Sequence, residues 1–200
     1  MTTEVINSKV QFQNIHQDLI EKCISGDQKA QFQIYKLYYK AMYNISLRIV
    51  NNPMEAEDIM QESFLSAFEK INTFSGTVSF GAWLKKIVVN RSIDAIRRDR
   101  KVIFEDIDSL PEIEPYCYED EPGKEETTQR IQEVMAVINR LPEECRIVFS
   151  LFLLEGYDHD EIGEILSISP TTSRSQFSRA RQRLITELNR ASAKRSYRII

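Results

Sequence analysis

Two hundred residues, 42% apolar and 28% charged, suffice for two modest globular cores, and no apolar run approaches the roughly 20 residues needed to cross a bilayer. The net charge of −4 hides a segregation: Glu105 to Glu126 holds ten acids and one base, which leaves the rest of the chain at +5. Cys23, Cys117 and Cys145 are odd in number, far apart and without a CxxC spacing, which argues against a disulfide framework or a zinc site; with a polar N-terminus lacking a signal-peptide pattern, a cytoplasmic protein without membrane insertion, metal or cofactor is expected.

Glycine and proline are scarce, six of each, and no run of alternating β-branched residues occurs, so an all-α chain is expected. A first helical domain spans residues 17–101. It is punctuated at Gly26-Asp27, Asn51-Asn52-Pro53 and Ser75-Gly76, giving about four helices. On the helix from Glu55 to Ile71, Met60, Phe64, Ala67, Phe68 and Ile71 form the core stripe, while Asp58, Gln61, Glu62, Leu65 and Glu69 face outward. A leucine within an acidic stripe suits a protein partner, because the carboxylates repel phosphate and the leucine can anchor an interface.

The segment from Phe80 to Lys101 carries two faces on one helical period. Phe80, Trp83, Leu84, Ile87, Val88 and Ala95 read as core, and Lys86, Asn90, Ile93 and Arg97 as a contact surface. Between Lys85 and Lys101 seven bases stand against two acids, a cluster that attracts polyanion. Arg91 and Asp94, three residues apart, are expected to form a structural ion pair.

Residues 102–127, with Pro111, Pro115 and Pro122 set among acids, read as a mobile linker. A second domain follows over residues 128–190, in which Leu141-Pro142 marks a helix start with proline at the first position. From Tyr157 to Leu166 a short helix opens with Asp158 and Glu161 at capping-box spacing. After a sharp turn Ser169 caps and Pro170 opens the next helix, with Ser173, Phe177, Ala180, Leu184 and Leu188 as its buried stripe. Its other face shows Thr171, Thr172, Ser175, Gln176, Arg179 and Gln182, flanked by Arg174, Arg181 and Arg183. This is the helix-turn-helix arrangement, with arginine suited to guanine, glutamine to adenine and hydroxyls to phosphates or bases. The basic tail, residues 191–200, is expected to fray or touch DNA.

Catalysis finds little support. Glu55, Glu57, Asp58 and Glu62 spread around a helix instead of converging on a magnesium ion, and helix capping accounts for Asp158, His159 and Asp160.

Taken in order, Gly26-Asp27 before a Phe- and Tyr-rich helix, AEDIMQESFLSAFEK (Ala56 to Lys70), FSGTVSFGAWLKKIVVNRSIDAIRR (Phe74 to Arg98) and LPEECRIVFSLFLLEGYDHDEIGEILSISPTTSRSQFSRARQRL (Leu141 to Leu184) resemble a bacterial sigma factor of the extracytoplasmic-function (ECF) group. The resemblance implies a factor that gives core RNA polymerase its promoter specificity. Its first domain, region two, would bind the coiled coil of the beta-prime subunit through Asp58, Gln61, Glu62 and Leu65. The same domain would read and open the minus-ten element through Phe74, Ser75, Gly76 and Thr77, with Lys86, Asn90, Arg97 and Arg98 beside them. Region four would sit on the beta flap and read the minus-thirty-five element through Thr171, Thr172, Arg174, Ser175, Gln176, Arg179 and Arg183. Many members are held by an anti-sigma factor. The usual Gly-Thr-Val at the start of the recognition helix is here Thr171-Thr172-Ser173, so a serine replaces a core valine. The lack of a central helical domain agrees with the ECF group. The competing reading is a stand-alone helix-turn-helix repressor, for which the Asp58 to Glu69 face would be indifferent.

Overall fold

The computed structural model describes residues 15–102 and 125–196, and every regular element within them is helical. The chain divides into two compact units after Ala95. The acidic stretch as far as Lys124, with Cys117, lies outside the described residues, and its last two acids, Glu125 and Glu126, begin α5.

The first unit contains α1 (Gln17–Ile24), α2 (Gln28–Val50), α3 (Pro53–Glu69) and the start of α4 (Phe80–Val102). Local chemistry sets the boundaries. Gly26 turns the chain at φ 86°, and the Asp27 carboxylate then accepts from the backbone N–H groups of Lys29 and Ala30 at 2.7 and 3.3 Å. Asn51 ends α2 in the left-handed region, after which Asn52 caps α3 and Pro53 opens it. Helix α3 packs on α2 through Ala56, Ile59, Met60, Phe64 and Ala67, all buried. Tyr35 meets Phe64 edge-on at 5.0 Å, and Tyr38 meets Phe80 likewise at 5.6 Å. Between α2 and α4 the small buried residues Ser46 and Ser92 bring their hydroxyls within 3.1 Å of each other.

Helix α4 buries a wider arc than its hydrophobic period suggests. Phe80, Leu84, Val88 and Ala95 are buried as expected, but Val89, Ser92 and Ile93 are buried too. Ile93 therefore belongs to the core and not to the contact surface. An apolar residue at the edge of the stripe is drawn under the neighbouring helices, whereas Lys86, Asn90 and Arg97 stay exposed.

In the second unit α5 (Glu125–Asn139), α6 (Glu143–Phe149), α7 (His159–Leu166) and α8 (Pro170–Ser196) enclose Ile138, Leu141, Cys145, Phe149 and Ala180. Val134, Met135, Phe177 and Leu184 pack against that core. Pro142 is the residue before α6, with extended ψ of 141°, and not its first helical residue. Helix α6 runs on into a π turn at Ser150–Leu154. Asp158 and Glu161 close the capping box on α7, and Ser167 ends that helix at φ 57°. The Ser169 hydroxyl accepts from the Thr172 N–H at 3.0 Å to start α8, which continues to Ser196 and so takes in much of the segment read as a tail.

The turn between α7 and α8 is tight. A methyl group on Gly163 would lie 2.9 Å from the Ile168 carbonyl oxygen, and backbone cannot retreat without opening that turn. Gly163→Ala is accordingly expected to destabilise the second unit by about 1–3 kcal/mol in denaturant titrations. An unchanged midpoint would show that the turn yields freely.

Candidate protein and nucleic-acid interfaces

The outward face of α3 follows from what α3 buries. With Ile59, Met60, Ser63, Phe64 and Ala67 inside, the helical period leaves Asp58, Gln61, Glu62 and Leu65 exposed together, Leu65 at 65%. Met54 lies four residues before Asp58 on the same face and is 79% exposed. Its spacing was a usable signal that the expected set omitted. The Gln61 amide donates to Glu57 Oε1 at 3.3 Å. Arg91 on α4 donates through Nη1 to Glu62 Oε2 at 2.8 Å, so its ion-pair partner lies across the helix interface and is not Asp94. That contact turns Arg91 away from the basic cluster and steadies the Glu62 carboxylate at the edge of the acidic face.

The loop after α3 carries the second surface. Phe74 is half-buried, its ring 5.6 Å from Phe80 and 5.5 Å from Trp83. Trp83 is itself only half-buried, so the indole borders this loop instead of lying wholly in the core. Gly76 takes φ 70°, and the Ser75 and Thr77 hydroxyls, both exposed, lie 3.0 Å apart. Ser79 caps α4 by accepting from the Ala82 N–H at 3.2 Å. Along α4, Lys86 and Asn90 follow Trp83 on the exposed side, and Arg97 and Arg98 are exposed further on. An aromatic wall, clustered hydroxyls and a basic helix are the components that hold an unstacked base and its backbone.

The third surface is the first half of α8. Burial of Ser173 and Ala180, with Phe177 and Leu184 half-buried, leaves Thr171, Thr172, Arg174, Ser175, Arg179 and Arg183 exposed. Thr172 is shared with the cap, its hydroxyl 2.8 Å from that of Ser169. Gln176 departs from expectation: it is half-buried, with Oε1 buried and without a hydrogen-bond partner. It sits on the shoulder of the helix, away from the open face. His159, expected only as part of a cap, stacks on Phe152 at 4.4 Å and places Nδ1 2.9 Å from the Ser173 hydroxyl. Just before α7, burial first and then Glu155 and Glu161 push the Tyr157 phenol up to about 12, so it stays protonated at neutral pH. Among the described residues, no group of three or more His, Cys, Asp or Glu side chains is placed to hold a metal ion. No described helix is long and apolar enough to cross a membrane.

Residues 34–102 match the family model for sigma-70 region 2, and residues 131–184 match that for sigma-70 region 4. The chain is 31% identical over 179 residues to the ECF RNA polymerase sigma factor SigW of Bacillus subtilis, covering 84% of this chain and 94% of that protein. In fold it is similar to the sigma factor RpoE of Bartonella quintana, solved in complex with the anti-sigma factor NepR. There the TM-score is 0.55 at 23% identity, over 78% of this chain and 95% of that one. It is also similar to CnrH in complex with the cytosolic domain of CnrY, with a TM-score of 0.51 at 21% identity, over 87% and 97% of the two chains.

The Glu62–Arg91 pair is open to solvent, with side chains 62% and 38% exposed, and contributes little to folding. Glu62→Gln is expected to change the unfolding free energy by less than about 1 kcal/mol. A larger loss would make Glu62 a structural residue first.

Proposed function

The chain belongs to the sigma-70 family, in its ECF group, and from that premise we propose how its residues divide the work of initiation. An ECF sigma factor is not an enzyme: it binds core RNA polymerase and confers promoter recognition. In our assignment the first domain, residues 17–101, meets the beta-prime coiled coil through Asp58, Gln61, Glu62 and Leu65. The observation carrying this is that Leu65, with Met54 on the same face, stands exposed among acidic and amide side chains. Such a face repels DNA and offers an apolar anchor to a protein.

The Phe74 to Ser79 loop receives a base flipped from the non-template strand of the minus-ten element. Lys86, Asn90, Arg97 and Arg98 track the opened strand. The second domain, residues 128–190, docks on the beta flap and lays α8 in the major groove of the minus-thirty-five element. Arg174, Ser175 and Arg179 face the bases, while Thr171, Thr172 and Arg183 serve phosphates or groove edges. Gln176 has the weakest claim to a base contact because its amide oxygen is buried. Residues 102–127 join the domains, and the protein acts in the cytoplasm.

An anti-sigma factor is the further partner. Support comes from the two fold neighbours, each solved as a complex, one with the anti-sigma factor NepR and the other with the cytosolic domain of CnrY. A stand-alone repressor has no use for the α3 face, and family membership decides against that reading.

Leu65→Asp is expected to abolish co-elution with core polymerase while circular dichroism stays unchanged; undiminished co-elution would remove the polymerase face from α3. Arg179→Ala is expected to lower selectivity by about 1–3 kcal/mol at one base pair of the upstream element. A uniform loss on all sequences would instead mark a phosphate contact.

A further inference from the structure

The start of α8 is held to α7 at two points. In the middle of α7, the Gly163 backbone packs against the Ile168 carbonyl, and a methyl group there would meet Pro170 Cγ at 3.6 Å. At its start, His159 reaches Ser173, the fourth residue of α8, through the 2.9 Å contact between Nδ1 and Oγ. Ser173 is 0% exposed. Its backbone N–H donates to the Ser169 carbonyl at 3.0 Å, and its buried hydroxyl is satisfied by His159.

The imidazole is itself closely held. It lies flat on Phe152 of the π turn, with an interplanar angle of 13°, and meets Phe177, one turn beyond Ser173, edge-on at 5.9 Å. The Asp158 carboxylate accepts from the Asp160 and Glu161 N–H groups and fixes the backbone that carries the ring. A ring held by two aromatic side chains and a capped helix start offers Ser173 a hydrogen bond of fixed direction. An apolar contact at this depth, such as a valine would make, has no such direction.

We propose that His159 is a positioning residue for promoter recognition, acting through Ser173 to set the rotation of α8 about its own axis. The proposal rests on the reading of α8 as the helix that enters the major groove. Ser173 lies between Thr172 and Arg174, so the pinned residue is central to the exposed set. Rotating a helix by about 20° moves a side-chain tip at a radius of about 6 Å by about 2 Å, which is enough to break a hydrogen bond to a base edge. Two anchors one turn apart on α7 remove that freedom, where one would leave α8 free to roll.

The test uses the full chain with core polymerase on a promoter it directs, together with copies of that promoter carrying one base change in the upstream or the downstream element. Discrimination is the ratio of transcript from the intact and the altered promoter. His159→Phe leaves the buried Ser173 hydroxyl without its partner, and Ser173→Val does the same to the half-buried imidazole. Each is expected to lower upstream discrimination about tenfold and leave downstream discrimination unchanged. The double variant replaces the polar pair by an apolar one and is expected to recover to within about threefold of the parent.

A double variant as impaired as the two single losses multiplied, or parallel loss at both elements, overturns the proposal. Should a single variant fail to fold, His159→Asn, with an amide near the Nδ1 position, takes its place; retained discrimination supports the proposal and tenfold loss contradicts it. Arg179→Ala serves as the reference. If it lowers upstream discrimination and the pair variants do not, His159 has no positioning role. If Arg179→Ala has no effect either, the reading of α8 falls and the proposal with it.

Discussion

Burial on one side of a helix fixes the angular position of everything on its other side, and this phase constraint governs each surface of the molecule. In α3 the inward Ile59, Met60, Ser63, Phe64 and Ala67 leave Met54, Asp58, Gln61 and Leu65 no orientation but outward. In α8 the inward Ser173, Phe177, Ala180 and Leu184 hold Thr171, Ser175 and Arg179 on the open face. A chain of helices with few glycines or prolines has little local freedom to correct a misplaced functional group. The phase is therefore settled by packing, and the chemistry of each face depends on it.

Charge separation lets protein-facing and nucleic-acid-facing surfaces share one small unit. The α3 face is acidic and the exposed side of α4 is basic, and at about 0.15 M salt exposed charges are screened beyond about 8 Å. Where the two helices meet, Arg91 and Glu62 neutralise each other at 2.8 Å. That pair marks the border between the surfaces. The overall −4 is uninformative for the same reason, since it averages surfaces whose roles need opposite signs.

Four of the helix starts were readable because each depends on a few adjacent residues. Asp27, Asn52 with Pro53, Asp158 with Glu161, and Ser169 with Pro170 all cap or open helices as their chemistry dictates. What escaped the sequence depends on contacts through space. The period of α4 gives no hint that Ile93 is covered, nor does an i, i+3 spacing show that Glu62 on another helix competes for Arg91. Gln176 has the composition of a base reader, yet its place on the α8 shoulder buries the amide oxygen. The join between Ser173 and His159 spans 14 residues: the sequence shows a serine in place of a core valine, but only the fold brings the imidazole to it.

The central claim is that these surfaces together make core polymerase start at particular promoters. It is tested most directly by transcribing fragmented genomic DNA with sigma-free bacterial core polymerase, with and without the protein, and sequencing the RNA 5′ ends. The account predicts new start sites that share two upstream motifs at fixed spacing. An unchanged set of start sites, with DNA binding by the protein intact in a separate shift assay, would contradict it.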